Sequence, residues 1–482
     1  MRTSDQLTNH LERPLARGHT PENGFTGAAG GAACGDLIRI SLAVDPDSAE
    51  GTIEDAGFDA SGCGATVAAG SAAVGLLRDT PLLQAARIGA ADVAHELGGL
   101  STTKLHAAEL ACDALHRALG WAARSVACLG AREGRTLVAM SGGVDSAVAA
   151  LLTAETGAEA VGVTLELWSD PENDGDLSCC SAQAVRGARE LAHDMGMPHL
   201  SIDLRAEFRA GVVDQWLSDH AAGLTPNPCV RCNGSVRLDA MLVLAERLGA
   251  QSLATGHYAR VKEGPLLQTA TDGSKDQSYV LSALSPHSLS RLRFPLGELR
   301  KPQVREIAER AGLSVAGRHD SQDLCFLAGT RQVAFLERHG GLGAKPGPIL
   351  DADRNVLGEH DGAHAYTVGQ RHGLGIGGRE PLYVLSIDTA ANTVTVGPRG
   401  ALLADVMAAR EVTLHRDGRC VDGVRVRAHG QRYGCRLAGE LDAGRHRLVE
   451  IELREQAERT APGQIACLYA GDLVVGYGTI AA

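Results

Sequence analysis

A chain of 482 residues is too long for one ordinary domain, and three or four are expected from length alone. Its 44% hydrophobic and 22% charged residues are those of a globular protein, and no apolar run approaches the roughly 20 residues of a membrane helix, so a spanning protein is excluded. A formal net charge of −12 argues against diffuse nucleic-acid binding while leaving room for a local basic patch.

The opening MRTSDQLTNHLERPLARG has no apolar centre, so a secretory leader is not expected and the predicted location is cytoplasmic. Twelve cysteines there point to metal, redox or sulfur chemistry rather than disulfides. Cys128, Cys420, Cys435 and Cys467 lie in apolar or strand-like surroundings and are expected to be inert.

In residues 1–130, GAACGDLIRISLAV leads through Cys34, Gly35 and Asp36 into an alternating strand. Next comes Cys63 on a glycine turn ahead of a small-residue helix, then a helix holding KLHAAELACDAL. The order CGD, GCG, KLH resembles NifU/IscU-type iron–sulfur scaffolds, in which three cysteines, an Asp and a nearby His hold zinc or a nascent cluster. The third cysteine of that pattern would follow His106, where this chain has Ala107. Cys112 is no simple substitute, because five helical residues turn it by about 140° and move it ~7.5 Å along the axis. Two readings stay open: Cys34, Asp36, Cys63 and His106 bind zinc or iron, or the module is a docking surface for a sulfur donor.

Residues 131–335 begin with TLVAM, a buried strand, followed by SGGVDS and the helical SAVAALL. Two glycines, two serines and a helix start make a pyrophosphate cradle. No Lys follows the glycines, so this is not the GxxxxGK[ST] loop, and Asp145 is assigned to magnesium. The hexapeptide resembles the signature of ATP pyrophosphatases. AEAVGVTLELW, HLSIDL and AQSLATGHYARV read as further strands alternating with helices, which predicts a doubly wound parallel sheet with ligands at its carboxyl edge.

Three segments bring reactive groups to that edge. GLTPNPCVRCNGSVRLDAML holds Cys229 and Cys232 before a helix, where a thiol is expected to shift toward thiolate. DGSKDQSYVLSAL holds Lys275, Asp276 and Gln277, and RHDSQDLCFL holds Cys325. With SGGVDS, GHYAR, FPLGELRKPQVREIAERAGL and YTVGQRHGLGI, these segments closely resemble the tRNA-specific 2-thiouridylase (MnmA-type) family over about residues 134–482. The resemblance implies ATP-dependent sulfur transfer to the wobble uridine of tRNA, with a cysteine desulfurase or other sulfur donor as partner. It implies ATP contacts at Ala139, Met140, Ser141, Gly142, Gly143, Val144, Asp145, Ser146, Leu165 and Gly256. For tRNA it implies Asn227, Pro228, His257, Lys275, Asp276, Gln277, Arg427 and Gln464. His257 has a capping or core role as its equal alternative.

Within that family Cys232 matches the nucleophile and Cys325 the persulfide carrier. Many members have Asp where Cys229 stands, so Cys229, Cys232 and Cys325 are also a ligand set for a four-iron cluster, and both routes remain open. The adjacent Cys179 and Cys180 are assigned no chemistry.

Residues 336–402 read as a small β-domain, with PLYVLSIDTAANTVTVGP a hairpin, and 403–482 as a small barrel. Arg416, Arg419, Arg425, Arg427, Arg432 and Arg436 are either a solvated strand face or a phosphate-backbone surface. Relatives follow the Arg427 position with Tyr, where this chain has Ala428. The expected fold is therefore α/β: a doubly wound parallel sheet of the adenine-nucleotide alpha-hydrolase type, an α+β scaffold-like domain before it, and a β-domain and β-barrel after it. Two rivals remain, an adenylating enzyme for a small amide or carboxylate and a non-catalytic iron–sulfur carrier. SGGVDS together with TPNPCVRCN favours catalysis on tRNA.

Overall fold

A computed structural model describes residues 3–30, 35–126, 128–170, 181–262, 264–318, 324–327, 329–377 and 380–482. Cys34, Cys179 and Cys180 lie outside the described residues.

The amino-terminal part is α+β. Strands Phe25–Gly30, Leu37–Val44 and Ile53–Ser61 form an antiparallel sheet, backed by helices Gly64–Gly75 and Leu105–Ser125. The alanine-rich Leu105–Ser125 buries Ala107, Ala111, Ala114, Ala118 and Ala122, so backbones approach closely. At Gly27 of the first strand a Cβ would stand 2.0 Å from the Ala114 carbonyl oxygen.

The same helix lies against the next domain. A Cβ at Gly120 would meet the Ser201 carbonyl oxygen at 2.0 Å, so only glycine fits. Asp113 pairs with Arg186 at 2.6 Å and Arg189 at 2.9 Å, and Arg117 with Glu166 at 3.0 Å. His116 places its ring nitrogens 2.9 Å from the carbonyls of His199 and Ile88. One helix thus completes two cores.

In the second domain, strands Leu292–Arg293, Ser252–Thr255, Arg135–Ala139, Glu159–Glu166 and His199–Asp203 lie side by side in that order, all parallel. The chain starts at the central strand, adds Glu159–Glu166 and His199–Asp203 on one side, then crosses to Ser252–Thr255 on the other. That reversal opens a crevice at the carboxyl end of Arg135–Ala139.

The strand expected in AQSLATGHYARV is present and ends ahead of Gly256 and His257. Ser252–Thr255 belongs to the parallel sheet, but Ala259–Lys262 pairs with Leu266–Thr269, and this hairpin joins the carboxyl-terminal sheet through Leu473 and Gln268. That sheet closes by pairing Leu403–Leu414 with both Gly444–Glu458 and Leu473–Ile480. Between the two lies a four-stranded unit that includes the expected hairpin, Tyr383–Asp388 with Thr393–Gly397, turning at Asn392 with φ of 54°. Asn tolerates this left-handed conformation.

Candidate active site

The phosphate loop follows from three local features. Gly142 has φ of +71°, and Gly143 caps helix Val144–Glu155 in extended conformation. Ser146 Oγ accepts from the Ser141 amide at 3.1 Å and donates to the Gly143 carbonyl at 3.0 Å, pinning the loop. Among the described residues the amides of Gly142 and Gly143 have no acceptor, which is the state of an anion cradle. Gly256, at the end of the neighbouring strand, comes so close that a Cβ would lie 2.7 Å from the Ser146 nitrogen.

Asp145 is not a free carboxylate. Lys301 Nζ lies 2.8 Å from each of its oxygens, and the Tyr258 hydroxyl donates to it at 2.8 Å. Arg318 donates to the Gly142 carbonyl at 2.9 Å. Neither Lys301 nor Tyr258 is among the site residues expected from the sequence. The one available signal was a Lys and a Tyr inside RKPQVREIAERAGL and GHYAR.

One cavity of about 330 Å³ joins the loop to the thiols. Ala139, Met140, Ser141, Asp145, Ser146, Leu165 and Gly256 share its wall with Pro228, Cys229, Cys232, His257, Gln277 and Cys325. Each thiol has its own anchor. Cys229 sits in the short helix Pro228–Arg231, whose first amides are capped by Asn227 Oδ1, at 3.1 Å from Cys229 N and 3.4 Å from Val230 N. Cys232 starts the wide turn Cys232–Arg237. Cys325 is held by its neighbour Phe326, which is buried among Trp168, Phe208, Trp216 and Phe335 with ring centroids 5.2–6.5 Å apart.

The expected shift of Cys229 toward thiolate is corrected. Burial pushes this thiol up, and Arg237 only partly opposes it. The physical reason is that Asn227 already occupies the helix-start amides, leaving the sulfur in an apolar wall.

The residues assigned to tRNA divide. Arg427 is exposed and Lys275 half-buried. Gln277 Oε1 accepts from the Tyr258 amide at 2.9 Å. His257 is buried, with Nδ1 2.8 Å from Thr255 Oγ1, and burial takes it down to about 3, so it is neutral at physiological pH. Gln464 donates to the Thr225 carbonyl at 2.5 Å, tying the barrel to the loop that carries Asn227 and Pro228.

Asp276 is buried rather than on the surface. It accepts from the Ala270 and Ser278 amides and the Ser278 hydroxyl and pairs with Arg425 at 2.7 Å. Asp276→Ala should therefore cost about 3 kcal/mol of stability by stranding Arg425 between two domains, measured as a lowered urea midpoint. The arginine stripe is largely neutralised as well: Arg419 pairs with Asp417, Arg432 with Asp422 and Arg436 with Glu452. Among the described residues Arg416 and Arg427 carry no ion pair.

A second cluster lies in the amino-terminal domain. Ligand atoms of Asp36, Cys63 and His106 fall within 4.8 Å of one another. Gly62 permits this, since a Cβ there would sit 2.1 Å from Asp36 Oδ1. Thr66 donates to Asp36 at 2.6 Å and the Cys63 amide at 2.9 Å, and Thr66 leads in holding this carboxyl below its usual range. His106 Nδ1 donates to the Thr103 carbonyl at 3.1 Å, which turns Nε2 toward Asp36 Oδ2 at 3.5 Å. A carboxylate, a thiol and an imidazole nitrogen gathered this closely make a candidate metal-ligand set. Ala107 and Cys112 are fully buried, and burial pushes the Cys112 thiol to about 12, so it does not replace the missing ligand.

Comparison with known proteins accounts for every part. Four family models match: NifU-like N terminal domain over residues 2–126, tRNA methyl transferase HUP domain over 134–329, tRNA methyl transferase PRC-barrel domain over 333–398, and aminomethyltransferase beta-barrel domain over 409–480. The bifunctional protein NifU/MnmA of Rubrobacter xylanophilus is 43% identical over 494 residues, covering 100% of this chain and 99% of the relative. The tRNA-specific 2-thiouridylase MnmA of Thermobifida fusca is 45% identical over 72% of this chain and 95% of its own length. That of Geobacter metallireducens is 40% identical over 72% and 96%.

Proposed function

The chain belongs to the MnmA family of tRNA-specific 2-thiouridylases and carries a NifU-like domain ahead of it, and from that premise we propose that it is an ATP-dependent tRNA uridine 2-sulfurtransferase fed by its own scaffold-like module. The observation that carries the reading is the single cavity lined by both the phosphate loop and Cys229, Cys232 and Cys325.

The uracil O2 attacks the α-phosphorus of ATP, and pyrophosphate leaves from the cradle at Gly142 and Gly143. The carbonyl oxygen is thereby converted into part of AMP, a good leaving group. The terminal sulfur of a Cys325 persulfide bonds to C2, and AMP departs with O2. Cys232 then attacks Cys325 Sγ, the S–S bond to the transferred sulfur breaks, and a Cys232–Cys325 disulfide remains for a thiol reductant. Asp145 would hold a magnesium ion, which would supply charge neutralisation for the phosphates, and Lys301 beside it adds a positive charge at the same place. Lys275, Arg427 and Gln464 are proposed to face tRNA, and a cysteine desulfurase to load sulfur.

A second reading is favoured by one observation, the third thiol at Cys229 in the same wall. Cys229, Cys232 and Cys325 would then hold an iron–sulfur cluster that supplies sulfide. Anaerobically purified protein would contain iron and acid-labile sulfide, both lost in Cys229→Ala; iron unchanged by that substitution removes this reading.

The proposed reaction predicts pyrophosphate release that depends on tRNA with an unmodified wobble uridine, followed by 2-thiouridine once a sulfur donor is added. Release without tRNA would point to a small-molecule adenylating enzyme, and no release at all to a carrier.

For the amino-terminal cluster we propose a zinc site with Asp36, Cys63 and His106 as ligands. Cys63→Ser should lower bound zinc from one per chain to under about 0.1, read by elemental analysis. Equal zinc in both proteins would leave the module only a docking role.

A further inference from the structure

The turn Cys232–Arg237, wound as a π-helix, carries two polar groups that the steps above leave unused. The first is Asn233, 5% exposed. Its Nδ2 donates to the Val280 carbonyl at 3.3 Å, which sets the amide's orientation, since a flipped amide would oppose two acceptors. Its Oδ1 is sealed from solvent and accepts nothing. A bare buried acceptor is rare in a folded protein, and this one belongs to a residue in the cavity wall beside Cys229, Cys232 and Gln277. The second is Arg237, four residues on and in the same wall. It carries no carboxylate partner among the described residues, and it is the only Lys or Arg among those lining the cavity.

An acceptor beside a donor-only cation matches one pyrimidine edge and opposes the other. Uracil offers an N3–H donor and an O4 acceptor; cytosine offers an N3 acceptor and an N4 amino donor. Enzymes that act on a base taken out of its stack read it through this edge. The reacting O2 must face ATP, so N3 and O4 are what remains for recognition.

We propose that the Cys232–Arg237 turn opens as the base enters, so that Asn233 Oδ1 accepts from uracil N3–H while Arg237 donates to O4, and that this turn thereby selects uridine over cytidine at the modified position. The inference rests on the tRNA thiolation reading above and adds the groups that recognise the base. Cytidine would set its N3 lone pair against Asn233 Oδ1 and its amino group against the guanidinium, a double mismatch. Sites built to satisfy a hydrogen bond discriminate strongly for this reason.

The test uses full-length protein and two tRNA transcripts differing only in uridine or cytidine at the wobble position, with pyrophosphate release as readout. Wild-type protein releases pyrophosphate with the uridine transcript far faster than with cytidine. In Asn233→Ala, kcat/KM for uridine falls roughly 10- to 100-fold with little change for cytidine, and ATP affinity is unchanged. Asn233→Asp, which keeps an acceptor in place, retains the preference. Arg237→Met, at a part-exposed position that tolerates substitution, erodes the ratio independently, should Asn233→Ala not fold. A uridine-to-cytidine ratio unchanged in both Asn233→Ala and Arg237→Met overturns the inference, as does loss of preference in Asn233→Asp. Absence of pyrophosphate release by wild-type protein with the uridine transcript would instead sink the thiolation reading itself.

Discussion

Cys232→Ser should bind ATP normally and form no 2-thiouridine, a loss of at least about 10³-fold. The substitution is nearly isosteric at a buried position, so the wide turn it begins should persist. What disappears is sulfur nucleophilicity: a hydroxyl does not ionise near neutrality, whereas a thiol does. Adenylation needs no thiol, so tRNA-dependent pyrophosphate release should survive while thiolation stops. Mobility of the tRNA in a mercury-containing gel reads the second quantity and a coupled phosphate assay the first. Thiolation at the wild-type rate would remove Cys232 from the chemistry.

Gly256→Ala should weaken ATP binding at least about 10²-fold without unfolding the protein. The added methyl would meet the Ser146 nitrogen at 2.7 Å and the Asp145 carbonyl carbon at 2.8 Å. Both are backbone atoms, so no side chain can swing aside, and the first turn of helix Val144–Glu155 must move off its cradle. That displacement also drags Asp145 from Lys301 and Tyr258. Gly273→Ala is the control, because nothing lies within 4 Å of a Cβ there. Calorimetric titration with ATP distinguishes the two; equal affinity in both variants would show that the loop tolerates the shift.

Much of the architecture was legible because its signals are local. TLVAM, AEAVGVTLELW and HLSIDL are apolar runs punctuated by helices, and they appear as neighbouring parallel strands. SGGVDS was readable because glycines and a helix start imply an anion site wherever they occur. Harder to read was everything that depends on a distant partner. The hairpin starting at Ala259 joins a barrel strand some 200 residues later, a pairing that no periodicity reveals. Arg425 looked like part of a basic surface until its buried partner Asp276 was placed beside it. Asn227 read as a tRNA contact but caps the helix that carries Cys229, and burial, which depends on distant packing, turned that thiol's shift upward. Asn233 drew no attention, since an orphaned acceptor exists only in three dimensions.

Helix Leu105–Ser125 leaves no seam along which the two halves come apart intact. Cutting the chain near residue 130 would strip the cover from strand His199–Asp203 and leave Arg186, Arg189 and Glu166 without the counter-ions that Asp113 and Arg117 supply. Heat or a protease therefore meets one cooperative object, and whatever loosens this helix uncovers both domains at once.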